Sequence, residues 1–195
     1  MGVVANIPAH LAGAVDSPGA DKGARFFQLC DAFDIPVVVF MDCPGIMVGP
    51  DHERTALVRH SVRLFNIGAN CTAPMFGIMV RKAYGLGVQA MIGGASSVPF
   101  LTVAWPTAEF AGMNIDGAVK LSARRELAAI EDPEERKAAY ERRVAQGYES
   151  ARAINSGARY VIDPADTRAF IARGMKSLPP TPPRVGKKRP YVDTW

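Results

Sequence analysis

The sequence has few of the residues that bind metals or form disulfides. Its 195 residues include only three cysteines and three histidines. Cys30, Cys43 and Cys71 are odd in number and lack a metal-binding spacing, and no two histidines lie four residues apart. The sequence therefore predicts no metal site, and it predicts reduced thiols of the kind found in cytoplasmic proteins.

Long apolar runs and strong net charge are also missing. No apolar stretch is long enough to cross a bilayer, and no signal-peptide pattern is present. The net charge is +4, and much of it comes from Arg184, Lys187, Lys188 and Arg189 near the C-terminus. Because no stripe of aromatic and basic residues accompanies this charge, the sequence argues against nucleic-acid binding. We expect a cytoplasmic protein that binds neither a membrane nor nucleic acid.

The composition is that of a globular protein. With 48% apolar and 22% charged residues, the chain can bury one substantial core and is most simply one domain. We place that domain at residues 1–178. Residues 179–195 are predicted to form a Pro-rich basic tail, because Pro179–Pro183 is stiff and extended. Tyr191 and Trp195 are candidates for contacts between this tail and the domain surface.

Helical and strand patterns alternate along the first 104 residues. Ser17 followed by Pro18 predicts an N-cap and the start of a helix. Residues 36–41 form a continuous β-branched and aromatic run, which is typical of a strand buried on both faces. Further strands are predicted at 75–80 and 100–104. A second amphipathic helix, predicted between the strands at 36–41 and 75–80, has Leu57, Val58, Ser61, Val62 and Phe65 on one side. This alternation predicts an α/β fold with parallel strands joined by right-handed crossovers.

The chain then becomes polar and helical. From Ala123 to about Ser156, acidic and basic residues interleave as on a solvated helix face. Asp132–Pro133 divides this stretch into two helices, because proline disfavours a helical residue before it. A closing helix is predicted from residue 163 or 164 to Met175, with Phe170 and Ile171 as its anchors.

The most informative segment is residues 81–87, which has the sequence RKAYGLG. The apolar run 75–80 before it predicts a strand, and Val88 can begin a helix. A strand, a glycine turn and a helix N-terminus leave unpaired N–H groups near one point, which suits an oxyanion. The alternative is a plain connection whose glycines only relieve strain. The turn signal at residues 42–45 also follows a strand, and ligands of such folds gather at the carboxyl ends of strands.

Four motifs in this order resemble the carboxyltransferase β component of biotin-dependent acyl-CoA carboxylases, the propionyl-, acetyl- and methylcrotonyl-CoA carboxylase family. The motifs are Cys30–Pro36, Asp42–Gly45, Arg81–Gly85 and Ala104–Glu109. The resemblance covers nearly the whole chain but only the C-terminal half of the family. It implies a crotonase-like (ClpP/crotonase) ββα-spiral domain with peripheral helices.

The resemblance also implies a reaction. In this family the N-terminal domain binds the acyl-CoA, and the C-terminal domain of a neighbouring subunit binds carboxybiotin. The backbone amides of Leu86 and Gly87 correspond to an oxyanion hole for the urea oxygen of biotin. Biotin itself is carried on a separate carrier protein or domain, and its ring nitrogen is the base that takes the α-proton of the acyl-CoA. No side chain of this chain is then needed as a base.

The resemblance implies roles for several further residues. Asp42, Pro44, Gly45, Tyr84 and Gly85 are predicted to contact biotin, and Gln89 is placed where the family senses the length of the acyl chain. Alternatives stay open for three residues: Asp42 as the cap of the Pro44–Gly45 turn, Tyr84 as a buried packing residue, and Glu109 as either a catalyst or an acid at a helix start. Many members have Gly-Gly-Ala where this chain has Gly85-Leu86-Gly87. This difference keeps the backbone amides but changes the pocket walls.

The resulting expectation is half of a carboxyltransferase, inactive alone. It needs an N-terminal-half partner, a biotin carboxyl carrier or biotin carboxylase subunit, and an acyl-CoA. We also expect a homo- or hetero-oligomer, because a half built for a neighbour exposes apolar surface. Two alternatives remain. One is a non-catalytic crotonase-fold interaction protein or truncated remnant, and the other is a free-standing hydratase or isomerase. The second requires two carboxylates that converge on a thioester, and the sequence offers no such pair.

Overall fold

The fold is built on a parallel sheet. A computed structural model describes residues 1–94, 99–156, 158, 160–181, 183, 185–189 and 191–193. Four strands lie in chain order across the sheet, and a fifth pairs with the C-terminal part of the third. They are β1 (Gly2–Ala5), β2 (Val37–Cys43), β3 (Met75–Tyr84), β4 (Leu101–Ala104) and β5 (Glu109–Ala111). Every pairing between these strands is parallel, as the alternation in the sequence predicted.

Helices cover both faces of the sheet. The helices are α1 (Ser17–Ala32), α2 (Pro50–Glu53), α3 (Leu57–Ala69), α4 (Gly85–Met91), α5 (Ile115–Ser122), α6 (Arg124–Ala128), α7 (Pro133–Ala151) and α8 (Thr167–Lys176). On one face, Val37 and Val39 of β2 join a core that includes Phe27 of α1. On the other, Val38 joins a core that Phe170 of α8 helps to cover. The alternation of Val37, Val38 and Val39 between two cores explains why β2 is apolar throughout.

The first long helix begins one residue earlier than predicted. Asp16 is the N-cap of α1, because its carboxylate accepts a hydrogen bond of 2.9 Å from the N–H of Gly19. Ser17 is the first helical residue, and its hydroxyl lies 2.5 Å from that of Thr55. Pro18 stands in the first turn, as predicted. The prediction of Ser17 as the cap was wrong because aspartate and serine are equally good caps.

The buried stripe of α3 also differs from the prediction. Leu57, Ser61 and Leu64 face the core, whereas Val58 and Val62 are 65% and 55% exposed. The buried residues recur at the spacing of one helical face. The prediction placed Val58 and Val62 on that face, and the structure instead leaves two β-branched side chains on the surface.

Two strands are longer than their apolar runs. β2 continues through Asp42 and the buried Cys43, and a register shift between Met41 and Cys43 marks an irregularity. β3 continues past Val80, where the prediction ended it, to Tyr84. The extension is possible because β5 pairs with residues 82–84 of β3. A new hydrogen-bonding partner thus keeps a polar segment in the sheet.

The C-terminal region follows the predicted division. Asp132 is the N-cap of α7 and accepts a hydrogen bond from the N–H of Glu134 at 3.0 Å. Helix α5 was not predicted. Part of the predicted tail contacts the domain, since Lys188 and Arg189 pair with Asp31. Tyr191 is 70% exposed, and Trp195 lies outside the described residues.

Candidate functional site

The candidate site is the junction at which β3 passes directly into α4. Tyr84 is both the last residue of β3 and the N-cap of α4, so no loop separates the two elements. Gly85 has φ +56°, a conformation that favours glycine. A Cβ at Gly85 would lie 2.7 Å from the carbonyl oxygen of Gly112. The backbone can therefore turn sharply here only because this residue has no side chain.

The first turn of α4 presents backbone N–H groups. Residues in the first turn of a helix have no intrahelical acceptor for these groups. Outside the regular helix and strand patterns, no hydrogen bond of the described chain is donated by the N–H of Leu86 or Gly87. The Leu86 side chain is 60% exposed, whereas Gly87 is buried. These two N–H groups are the donors available to an oxyanion at this end of α4.

The segment after β2 packs directly against this turn. A Cβ at Gly87 would lie 2.6 Å from the carbonyl carbon of Gly45 and 2.8 Å from the Sγ of Cys43. Gly45 itself has φ +131°, and a Cβ there would meet only the carbonyl oxygen of Tyr84, at 4.0 Å. The structure thus brings the predicted segments 42–45 and 84–87 together through backbone contacts.

We expect Gly87→Ala to lower the free energy of unfolding by about 1–3 kcal/mol, a typical cost of overpacking. Alanine favours helices, so without the contact to Gly45 the same change would stabilise α4. The measurement is urea unfolding followed by circular dichroism. Gly112→Ala is the matched control, because a Cβ at Gly112 has nothing within 4 Å. Equal stability of the two variants would contradict the packing described here.

Asp42 ties the end of β2 to β3. Its Oδ2 lies 2.8 Å from the Nη2 of Arg81, and its Oδ1 accepts a hydrogen bond of 3.2 Å from the N–H of Lys82. The hydrogen bond to Asp42 raises the pKa of Arg81, and their charge attraction adds to this effect. The carboxylate of Asp42 thus binds residues of β3. The structure does not support the alternative in which Asp42 caps the Pro44–Gly45 turn. A contact between Asp42 and biotin stays a prediction.

Tyr84 is buried beneath the junction. It is 1% exposed, and its ring packs against Ile115 and Ala151. Its hydroxyl donates a hydrogen bond of 2.5 Å to the Oε2 of Glu109. Burial raises the pKa of Tyr84 far above its ordinary value, and the neighbouring carboxylate of Glu109 raises it further. The packing alternative for Tyr84 is therefore the one that the structure favours.

The prediction of Glu109 as an acid at a helix start was wrong. Glu109 is the first residue of β5, and its carboxylate accepts the Tyr84 hydrogen bond. The feature of the sequence that singled out Glu109 was its position in the last of the four motifs. Nothing in local periodicity reveals a strand of three residues that pairs across the sheet.

Gln89 lies one helical turn after Leu86. Both side chains are exposed, and a spacing of three residues places them on the same side of α4. They therefore share the surface beside the first turn of the helix. A role of Gln89 in acyl-chain specificity stays a prediction.

A cavity of about 480 Å³ lies elsewhere, between β1 and α1. Its lining includes Asn6, Phe26 and Met91 but none of the predicted site residues. None of the helices in the described ranges is long and apolar enough to span a bilayer. Within the same ranges, no group of three or more His, Cys, Asp or Glu residues is arranged to hold a metal ion. The cavity and the candidate site at the carboxyl ends of β2 and β3 are thus separate, and the roles of the predicted site residues stay predictions.

Known proteins match most of this chain in sequence. The carboxyl transferase domain family matches residues 1–182. The propionyl-CoA carboxylase carboxyltransferase subunit of Haloferax mediterranei is 36% identical over 182 residues, which are 91% of this chain and 35% of that protein. The methylmalonyl-CoA carboxyltransferase 12S subunit of Propionibacterium freudenreichii subsp. shermanii is 34% identical over 181 residues, which are 90% of this chain and 34% of that subunit.

Solved structures agree with these sequence matches. A single-chain, multi-domain long-chain acyl-CoA carboxylase matches with a TM-score of 0.77 and 43% identity, over 87% of this chain and 17% of that one. The transcarboxylase 12S hexamer, solved with methylmalonyl-coenzyme A and methylmalonic acid bound, matches with a TM-score of 0.77 and 31% identity. That match covers 98% of this chain and 37% of the 12S chain.

The parallel sheet, its helical layers and the junction at its carboxyl edge define a crotonase-like α/β domain, which confirms the predicted fold class. The chain belongs to the carboxyl transferase domain family, which confirms the resemblance. It spans about a third of the length of the curated relatives that it matches, 35% and 34% in the two cases above.

Proposed function

We propose that this chain is the biotin-side domain of an acyl-CoA carboxyltransferase. Its reaction moves a carboxyl group from carboxybiotin to the α-carbon of an acyl-CoA. One observation carries the proposal: the N–H groups of Leu86 and Gly87 lie in the first turn of a helix at the carboxyl edge of the sheet, where Gly87 packs against the backbone of Gly45. Family membership supports the same chemistry.

The residues at the junction fit a flat cyclic urea. A Cβ at Gly112 has nothing within 4 Å, and one at Gly45 has nothing closer than 4.0 Å. The main chain is therefore open to a ligand on both flanks of the α4 turn. Pro44 and Gly45 form one wall of the site, and Gly85 permits the turn itself. Behind this wall, Asp42 binds Arg81 and Tyr84 binds Glu109, and these two contacts fix the ends of β2 and β3.

The chemistry of this chain is electrostatic. Biotin, when bound, supplies the transferable carboxyl group. Leu86 and Gly87 would each donate an N–H to the urea oxygen of bound biotin and so would stabilise negative charge on it. One such preorganised donor is worth about 3 kcal/mol in a transition state. The N-terminal dipole of a helix favours the same charge. On the exposed side of α4, Gln89 is the side chain that would influence the preferred length of the acyl chain.

The acyl-CoA site comes from a partner. The chain spans about a third of its relatives' length, 35% in one case, so the N-terminal half of the enzyme is the partner that we propose. A biotin carboxyl carrier or biotin carboxylase subunit delivers the cofactor. Exposed Val58 and Val62 on α3 favour association with further chains. We propose that the reaction takes place in the cytoplasm.

The test is to combine this chain with an N-terminal-half carboxyltransferase protein and to measure transfer of labelled carboxyl from a carboxylated biotin carrier to propionyl-CoA. We expect transfer from the mixture and none from either chain alone, because neither alone holds both substrates. Full activity of this chain alone would contradict the need for a partner. A folded complex of the two chains without transfer would support the alternative of a non-catalytic interaction protein.

A further inference from the structure

The register of β3 and β5 places two polar side chains on one face of the sheet. Lys82 pairs with Glu109, and Tyr84 pairs with Ala111. Because alternate residues of a strand share a face, the side chains of Tyr84 and Glu109 lie on the same side, displaced diagonally. The long tyrosine spans this diagonal, and its hydroxyl reaches the Oε2 of Glu109 at 2.5 Å.

The tyrosine has little freedom to move. Its ring is 1% exposed and packs between α5 and α7, against Ile115 and Ala151. A short hydrogen bond from a hydroxyl to a carboxylate is among the stronger bonds in a protein. The phenol stays protonated and remains the donor, because burial and then the Glu109 carboxylate raise the pKa of Tyr84. Glu109 is thus a fixed acceptor for a buried donor.

The residue held in this way directly precedes the oxyanion turn. Tyr84 is the N-cap of α4, and Gly85 follows it in close contact with the backbone of Gly112, just beyond β5. A shift of β5 would therefore be transmitted to Leu86 through Tyr84 and Gly85. A displacement of about 1 Å in a catalytic group can reduce a rate by about a hundredfold.

We propose that Glu109 is a positioning residue for the oxyanion hole. By accepting the Tyr84 hydrogen bond, it fixes the end of β3 and with it the direction of the N–H groups of Leu86 and Gly87. This inference rests on the proposed function, because the N–H pair matters only if an oxyanion binds there. Glu109 itself does not touch biotin.

The test compares four variants by ¹H–¹⁵N NMR. Tyr84→Phe and Glu109→Ala remove the hydrogen bond, and Glu109→Gln keeps an acceptor. Tyr140→Phe is the matched control, since its hydroxyl donates at 3.3 Å to Asp116 and not at the junction. We expect the Leu86 and Gly87 amide resonances to shift in the first two variants, to return towards wild type in Glu109→Gln, and to stay in place in Tyr140→Phe.

Titration with free biotin separates this inference from the proposed function. We expect biotin to move the Leu86 and Gly87 resonances of the wild type, with affinity about tenfold lower in Tyr84→Phe and Glu109→Ala. If biotin moves neither resonance in the wild type, the proposed function fails, and the unliganded spectra still decide the positioning role. That role is overturned if Tyr84→Phe and Glu109→Ala, shown to be folded by urea unfolding, shift the two amides no more than Tyr140→Phe does.

Discussion

Leu86→Pro should reduce carboxyl transfer in the reconstituted complex by about a hundredfold or more, the cost of losing one oxyanion-hole donor. Proline has no N–H, so the change removes a donor from the proposed pair and leaves that of Gly87. Residue 86 lies in the first turn of α4, where proline is tolerated because the N–H has no intrahelical acceptor. The measurement is the kcat of carboxyl transfer, with urea unfolding as the test of folding.

Leu86→Ala is the matched control. It truncates the same side chain, which is 60% exposed, but keeps the N–H. We expect its kcat to stay within about threefold of wild type, because exposed substitutions rarely change the fold. If the proline variant is folded and transfers carboxyl groups as fast as the alanine variant, the N–H of Leu86 is not a catalytic donor. If both variants are slow, the side chain and not the backbone carries the effect.

Much of the fold was predictable because it depends on local patterns. The β-branched and aromatic run at 36–41 predicted β2, and Asp132 before Pro133 predicted the start of α7. The end of β3 was not predictable, because a polar segment stays in a sheet only where another strand pairs with it. That strand, β5, has three residues, which is too short for a period of two to be recognised. Its existence depends on the packing of α5 and α7 and not on its own sequence.

The site, like the fold, combines features that were predictable from the sequence with features that were not. Its location followed from topology, because the carboxyl ends of parallel strands meet at one edge. The sequence therefore predicted that the Asp42–Gly45 loop and the Tyr84–Gly87 turn each lie at such an end, and the structure adds that Gly87 packs against Gly45. The side-chain partners did not follow, since the pairs Asp42–Arg81 and Tyr84–Glu109 depend on the strand register. Register is set by tertiary packing, and a shift of one residue would send these side chains to the opposite face.

The second large effect concerns a buried carboxylate at the C-terminal end of α1. Asp31 is 2% exposed. It accepts hydrogen bonds from the N–H groups of Thr72 at 2.8 Å and Ala73 at 3.0 Å, and it pairs with Lys188 at 2.8 Å and Arg189 at 2.6 Å. We expect Asp31→Ala to lower the free energy of unfolding by about 3–5 kcal/mol, because it removes the acceptor of the Thr72 and Ala73 N–H groups and the carboxylate that pairs with Arg189. Urea unfolding at pH 7 measures this loss.

Asp51→Ala is the control for a surface ion pair. Asp51 pairs with Arg54, but both side chains are exposed, at 91% and 75%. We expect that loss to stay below about 1 kcal/mol. A loss at Asp31 as small as the one at Asp51 would show that its buried contacts do not hold the C-terminal segment to the domain.

The contribution of Asp31 should also depend on pH. Burial alone would raise the pKa of this carboxyl group, but hydrogen bonds from Lys188, Thr72 and Arg189 outweigh burial and hold the pKa far below its ordinary value of 3.8. Because the pKa is lower in the folded state, the stabilisation is fully present above about pH 4 and is lost as the pH falls below that value. Asp31→Asn cannot titrate, so its unfolding free energy should fall less than that of the wild type between pH 5 and pH 2. Parallel losses in both proteins would mean that other carboxylates cause the acid sensitivity.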